Sequence, residues 1–163
     1  MFIKIEDEMD YLAGFIEGDG GLGLSLGKNG VFQSRLAAYQ KNRQILDYFC
    51  KQFRVGYVSS RDKTLTNSFG SGLVYRWLVT TKEDLLTLLP DLIPRLFTEK
   101  RRKSELVLEF AKLRNPQGNN QVTNSNRSRR DKLLQEWKLI PNLVIHRANP
   151  SLSLLAGFAD AEG

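Results

Sequence analysis

Two short segments of the sequence each end with an acidic residue directly before a glycine. The first is Leu12-Ala-Gly-Phe-Ile-Glu-Gly-Asp-Gly20, and the second is Leu155-Ala-Gly-Phe-Ala-Asp-Ala-Glu-Gly163, with five of nine positions identical. Carboxylate oxygens suit Mg²⁺, which keeps coordination positions open for water and phosphate. If the two segments lie together, Asp19 and Glu162 could therefore hold a metal ion that assists phosphodiester hydrolysis.

Small residues in both segments predict how the carboxylates would be brought together. Gly14 and Gly18 lie four residues apart, as do Gly157 and Ala161, so each predicted helix carries a small strip on one face. Helices with such strips can pack backbone to backbone. A carboxylate in the last turn of a helix faces the negative end of the helix dipole, which costs about 0.3–1 kcal/mol. A divalent cation between the two helix ends would reverse that cost.

The elements around the first segment are predicted to be a helix and a hairpin. The helix covers about Met9 to Asp19, and leucines alternate with small residues over 22–26, which is typical of a strand. A glycine turn then leads to a second strand over 31–40. After it, Asn42 can cap a helix with inward-facing positions at Ile45, Leu46, Phe49 and Phe53, in which Cys50 is read as core.

The remaining elements complete an α+β pattern of order α-β-β-α-β-β-α. A second hairpin is expected over 56–61 and 73–79, and a helix capped by Thr80 and Glu83 should run to Leu89, where Pro90 and Pro94 break the chain. A further helix carries Leu106, Phe110 and Leu113 at helical spacing. Residues 114–130 are predicted to be a loop, followed by a short helix from Arg130 to Leu139 and by Ser151 as a helix cap.

Composition narrows the classes of partner and site. The chain has 24 Lys and Arg against 18 Asp and Glu, a formal net charge of +6, which favours a polyanionic partner such as nucleic acid. One cysteine and one histidine exclude an intrachain disulfide and a metal site made of those residue types. No apolar run approaches the roughly 20 residues that span a bilayer.

Strand positions that alternate away from the leucines predict a polar, basic sheet face. These are Ser25, Gln33, Arg35, Arg61 and Arg76, to which we add Lys28 in the first turn as DNA-binding residues. Such side chains could contact base edges and phosphates in the major groove. The alternative interpretation is an ordinary solvated sheet face.

The two nine-residue segments resemble the signature of the LAGLIDADG homing endonucleases, a resemblance that covers about Tyr11 to Leu113 and the last ten residues. In that family the acidic residue beside the final glycine is the catalytic metal ligand, a role that carries over to Asp19 and Glu162. The predicted metal site also includes the adjoining Gly18 and Ala161. Gln40 and Lys100 resemble polar residues that flank the active site and order its water. Glu17 and Asp160, at the other acidic position, are left as supporting or helix-end groups.

The resemblance implies an α-β-β-α-β-β-α fold with a saddle-shaped antiparallel sheet and helices on one of its faces. It also implies site-specific, Mg²⁺-dependent cleavage of double-stranded DNA and an intron-encoded protein of a chloroplast or mitochondrion. The alternative is a relative that binds nucleic acid without cutting it, such as an intron RNA maturase.

The position of the second motif predicts the organisation of the chain. We expect an endonuclease domain over 1–113, a linker with a short helix over 114–150, and a helix carrying the second motif over 151–163. A two-motif member would continue with a second sheet, so the chain looks like an N-terminal half together with the start of the second half. A complete site would then need either a homodimer or a second LAGLIDADG half.

Overall fold

The computed structural model describes residues 7–26, 32–62, 73–114, 126–141 and 150–162. The predicted contact of Lys28 falls outside these ranges, as does His146. In chain order the elements are α1 (Glu8–Asp19), β1 (Gly20–Leu26), β2 (Phe32–Gln40), α2 (Arg43–Phe53), β3 (Tyr57–Asp62), β4 (Leu73–Val79), α3 (Lys82–Leu92), a 3₁₀ turn (Ile93–Arg95), α4 (Glu99–Leu113), α5 (Arg127–Leu139) and α6 (Leu152–Glu162).

The four strands form one open antiparallel sheet in the order β1-β2-β4-β3. The predicted α+β class and the α-β-β-α-β-β-α order of the first seven elements are therefore confirmed. Local capping explains why the helices begin where they do. The Asp7 carboxylate accepts hydrogen bonds from the backbone N–H groups of Met9 and Asp10, and the Asn42 side chain accepts one from Gln44.

The helices pack on one face of the sheet, because alternate strand residues on that face are apolar. Leu36, Trp77 and Val79 are fully buried there and join one core with Phe15 and Phe49. The rings of Phe15 and Phe49 meet edge to face with centroids 5.0 Å apart. This layer holds α1 against the sheet and so fixes the direction of its C-terminal end.

Three boundary predictions around α3 and α5 were wrong. Thr81, and not Thr80, caps α3, since its hydroxyl accepts from the backbone N–H of Asp84. Pro90 is an exposed residue inside α3 and does not end the helix, which continues to Leu92. Helix α5 begins at Arg127, so the last residues of the predicted loop are helical.

Helix α5 packs on the outside of α4 and β1. Leu133 is fully buried with Leu106 and Phe110, and Leu24 of β1 completes this second, smaller core cluster. The helix is therefore tied to the sheet through apolar contacts. Among the described residues, no helix combines the length and the apolar character required to cross a membrane.

Candidate active site at the α1–α6 helix pair

Helices α1 and α6 approach so closely that main-chain atoms meet. A Cβ added to Gly14 would lie 1.8 Å from the carbonyl oxygen of Leu154, and one added to Gly157 would lie 1.9 Å from the carbonyl oxygen of Tyr11. Gly18 faces Ala161, whose Cβ would be 2.6 Å from an added Cβ. The predicted close packing of the two small strips is what the structure has.

This packing brings the two predicted carboxylates to one cleft. Asp19 and Glu162 both line an open cleft of about 260 Å³, and a Cβ added to Gly18 would lie 3.5 Å from Glu162 Oε1. Glu162 is exposed, whereas Asp19 is half-buried. Each carboxylate stands at the C-terminal end of its helix, where the dipole is negative, so the cleft has the electrostatic character of a cation site.

The side chain of Lys100 lies at the C-terminal end of α1. Its Nζ donates to the carbonyl oxygens of Ile16 and Glu17 at 2.7 Å each and to that of Gly18 at 3.2 Å. Burial lowers the pKa of Lys100 below the ordinary lysine value, and the carboxylates of Glu17, Glu99 and Asp19 oppose that shift. The ammonium group therefore closes the C-terminal turn that carries Asp19.

Gln40 performs the corresponding task at the end of α6. Its side-chain oxygen accepts from the backbone N–H of Lys41 at 2.8 Å, which directs its Nε2 towards α6. Nε2 donates to the carbonyl oxygens of Asp160 and Ala161 at 3.0 and 3.4 Å. The structure thus brings Asp19, Glu162 and Gln40 to one cleft and places Lys100 against the end of α1 that carries Asp19. Their catalytic roles stay predictions.

The other acidic position of each motif has a structural partner. The Glu17 carboxylate is buried and accepts from the backbone N–H groups of Phe97 and Thr98, at 2.7 and 3.0 Å, and from the Thr98 hydroxyl at 2.5 Å. Asp160 accepts from the hydroxyl of Tyr11 at 2.7 Å. Both are helix-end groups, as predicted: Glu17 binds the start of α4, and Asp160 binds α1.

The donor set suits a hard divalent cation with an incomplete protein shell. Among the described residues, no group of three His, Cys, Asp or Glu side chains could hold a metal ion, so the cleft offers two carboxylates. Mg²⁺ is commonly held by one or two carboxylates together with waters and substrate phosphate. The carbonyl oxygens of Gly18 and Ala161 already accept hydrogen bonds from Lys100 and Gln40, so their predicted part in metal binding stays a prediction.

The predicted DNA-binding strand positions share the sheet face that points away from the helices. The register pairs Ser25 with Gln33, places Arg35 opposite Gly23, places Arg76 opposite Ser59, and pairs Arg61 with Val74. Partner residues in an antiparallel pair share a face, and alternate residues along a strand do too. We call this the outer face. By register, the predicted positions Ser25, Gln33, Arg35, Arg61 and Arg76 all belong to it.

Two arginines of the outer face have defined surroundings. Arg76 Nε donates to Ser59 Oγ at 2.8 Å. The Arg35 side chain lies across β1, because a Cβ added to Gly23 would be 2.8 Å from Arg35 Nε. A larger residue at position 23 would displace this guanidinium.

Several residues around the cleft were not predicted. Tyr39 and Val74, which have outer-face register, and Lys41, which follows Gln40, line the cleft with the two carboxylates. The cleft is therefore continuous with the outer face. The polar contact of Tyr11 was not predicted either, and only the hydroxyl of its side chain, which Leu154 lacks at the equivalent position, could have suggested it.

Solved structures of DNA-bound homing endonucleases are similar to this chain. The structure of I-CvuI with its target aligns with 90% of this chain and 87% of that chain, at 20% identity and a TM-score of 0.61. The LAGLIDADG meganuclease I-AabMI bound to uncleaved DNA aligns with 94% of this chain and 56% of that chain, at 26% identity and a TM-score of 0.64.

A third similar structure is the LAGLIDADG homing endonuclease I-GzeII with its DNA target, at 15% identity and a TM-score of 0.68, covering 93% of this chain and 57% of that one. The chain thus spans most of I-CvuI but little more than half of I-AabMI and I-GzeII. No family model and no curated protein matches the sequence. The similarity to these solved structures over at least 90% of this chain shows that the chain has the fold of the LAGLIDADG homing endonucleases.

Proposed function

We propose that the chain is a site-specific endonuclease of double-stranded DNA, or one half of such an enzyme together with the helix that completes its cleft. The observation that carries this proposal is the meeting of Asp19 and Glu162 in one cleft at the ends of two close-packed helices. The cleft opens beside the outer face, where arginines point away from the core. A duplex lying on that face would bring its phosphates to the carboxylates.

The roles of the chain's own residues follow from their contacts. Asp19 and Glu162 would hold a divalent cation against a backbone phosphate. Lys100 and Gln40 fix the two helix ends, so the carboxylates keep their positions when the anionic duplex arrives. The bound cation would polarise the phosphoryl oxygen and lower the pKa of a coordinated water.

A second unit on the outer side of α6 is part of this proposal. Leu12 and Phe15 of α1 are 0% exposed, whereas the equivalent Leu155 and Phe158 of α6 are 48% and 39% exposed. In α1 these two positions anchor the helix to the sheet and its helices. We propose that Leu155 and Phe158 anchor α6 to a second unit of the same kind, whose sheet would cover the other half of the DNA site.

The experiment is selection of cleaved duplexes from a randomised DNA library, with the full chain in Mg²⁺ and with Asp19→Asn in parallel. We expect Asp19→Asn to lose cleavage by more than about 100-fold, because even groups that only support a metal ligand contribute 10–100-fold. Asp47→Asn is the matched control, since Asp47 is an exposed α2 acid paired with Arg43.

Full metal-dependent cleavage by Asp19→Asn would exclude the proposed metal site. Binding of duplexes without cleavage, by both the wild-type chain and Asp19→Asn, would favour a nucleic-acid-binding protein or a chain that needs its second unit. Adding Ca²⁺ in place of Mg²⁺ separates binding from cleavage in the same selection.

A further inference from the structure

The main-chain contacts between α1 and α6 are symmetric, because equivalent positions of the two motifs make equivalent contacts. Residues 143 positions apart are equivalent, so the contact of Gly14 with Leu154 is the counterpart of the contact of Gly157 with Tyr11. Gly18 and Ala161, which face each other, are equivalent to each other. As far as backbone packing is concerned, a second copy of α1 could replace α6.

The polar contact at the N-terminal ends does not share that symmetry. Asp10 is only 8% exposed, forms an ion pair with Arg95 Nε at 3.0 Å, and accepts a hydrogen bond from the Ser151 hydroxyl. The residue of α1 equivalent to Ser151 is Glu8. The Glu8 carboxylate accepts from the Tyr48 hydroxyl and from the Gln52 side-chain amide. A second α1 would therefore leave Asp10 without its hydroxyl donor, and a buried group that loses its partner is costly.

The hydrogen bond at the other end of the helix pair is also asymmetric, because α1 has no equivalent acceptor. The hydroxyl of Tyr11, which is buried, donates to Asp160 at 2.7 Å. The equivalent of Asp160 in α1 is Glu17, whose carboxylate is already bound by Phe97 and Thr98. In a pair of two α1 helices, the Tyr11 hydroxyl would therefore lose its acceptor.

We infer that the α6-facing side of α1 selects a helix of the α6 kind and rejects a second copy of α1. The selected helix has a hydroxyl opposite Asp10 and a carboxylate available to Tyr11. The chain consequently pairs its own two motif helices and does not dimerise through α1. This inference concerns how the two helices of the proposed site recognise each other, and it holds whether or not the chain cleaves DNA.

Amide hydrogen exchange of α6 in the full chain tests this inference, because it reports local opening of the helix pair in the folded protein. Ser151→Glu gives α6 the residue that α1 carries. We expect the α6 amides to exchange at least about tenfold faster in this variant, with β2 and β4 unchanged. Ala159→Glu is the matched control, since it adds the same charge at an exposed position of α6.

A compensating pair of changes tests the contact between positions 10 and 151 directly. Asp10→Ser combined with Ser151→Glu exchanges the acid and the hydroxyl between the helices, and Glu at position 151 could then face Arg95. We expect this pair of changes to slow α6 exchange at least about threefold relative to Ser151→Glu, without reaching the wild-type rate, because the Ser151 hydroxyl that caps the Leu154 N–H is missing from both variants. If Ser151→Glu fails to fold, Asp10→Ala, Ser151→Ala and their combination test the same bond, since the combined effect should be smaller than the product of the two.

Three results would overturn the inference. The first is unchanged α6 exchange in Ser151→Glu, and the second is a combination that behaves as the product of its single changes. The third is a dimer, detected by sedimentation velocity, in which α6 exchanges as an unstructured segment does. Under the inference Ser151→Glu forms no such dimer, because α1 still rejects a second α1.

Discussion

Gly14 decides how close the carboxylates of α1 and α6 can come. Main-chain atoms of α6 surround it, with the carbonyl oxygen of Leu154 at 1.8 Å and the backbone nitrogen of Phe158 at 2.9 Å from the position of an added Cβ. Backbone atoms of a packed helix cannot move aside as a flexible side chain can. Two opposing effects thus meet at this residue, namely the helix propensity of alanine and the clash that it would create.

We expect Gly14→Ala to destabilise the chain by about 1–3 kcal/mol, which is typical of overpacking. Helix propensity alone would instead stabilise it by up to about 1 kcal/mol. Urea unfolding measures the sign. Gly21→Ala is the control, since its Cβ would meet only a Tyr39 ring carbon at 3.8 Å; a more stable Gly14→Ala chain would show that α6 is not packed there as described.

At the scale of elements, α1 depends on a charged cap. The Asp7 carboxylate accepts from the backbone N–H groups of Met9 and Asp10 and lies 3.5 Å from Arg95. The hydrogen bond to the Asp10 N–H, with help from Arg95, lowers the pKa of Asp7 below its ordinary 3.8, against a smaller opposing effect of burial. The cap thus links the stability of α1 to pH.

A carboxyl group with a lowered folded-state pKa stabilises the fold above its ordinary pKa, and that stability is lost as the pH falls through the lowered value. We therefore expect the urea concentration at the unfolding midpoint to decrease as the pH is lowered below 3.8. In Asp7→Asn this part of the pH dependence should be absent, because asparagine also caps helices well but does not titrate there. If the wild-type chain and Asp7→Asn lose stability equally in acid, other carboxylates cause the loss.

The elements that the sequence predicted correctly are those with a local cause. Asn42 and Ser151 act as caps through their own side chains, and alternating apolar residues formed the strands. Pro90 misled because a proline removes only the hydrogen bond of its own missing N–H and crowds the preceding turn, and neither effect prevents the residues after it from staying helical. The partners of Glu17 and Tyr11 could not be predicted, since they lie 80 and 149 residues away and only the fold brings them together.

At the scale of the whole molecule, the proposed function requires the site and the outer face to act on the same ligand. The net charge of +6 belongs to the complete chain, whereas Arg35 and Arg76 place positive charge on the face beside the cleft. Charge on that face would attract a duplex and orient it over the carboxylates. Position, and not total charge, would then decide binding.

We expect Arg35→Ala and Arg76→Ala each to weaken binding to duplex DNA. If each arginine contacts a phosphate, the slope of log K against log salt should fall by about 1 per substitution. Fluorescence anisotropy at several salt concentrations measures this slope. Arg43→Ala is the control because Arg43 lies on α2 and pairs with Asp47; equal losses for all three variants would indicate unspecific attraction.

The contact of each motif glycine with a main-chain oxygen has an evolutionary consequence. Gly14 lies against the carbonyl group of Leu154 and Gly157 lies against that of Tyr11, and every amino acid supplies the same carbonyl group. As far as these backbone contacts are concerned, positions 11 and 154 can differ, as Tyr and Leu do here, whereas positions 14 and 157 must remain glycine. Substitutions at positions 11 and 154 can add new polar contacts while the two helices stay packed.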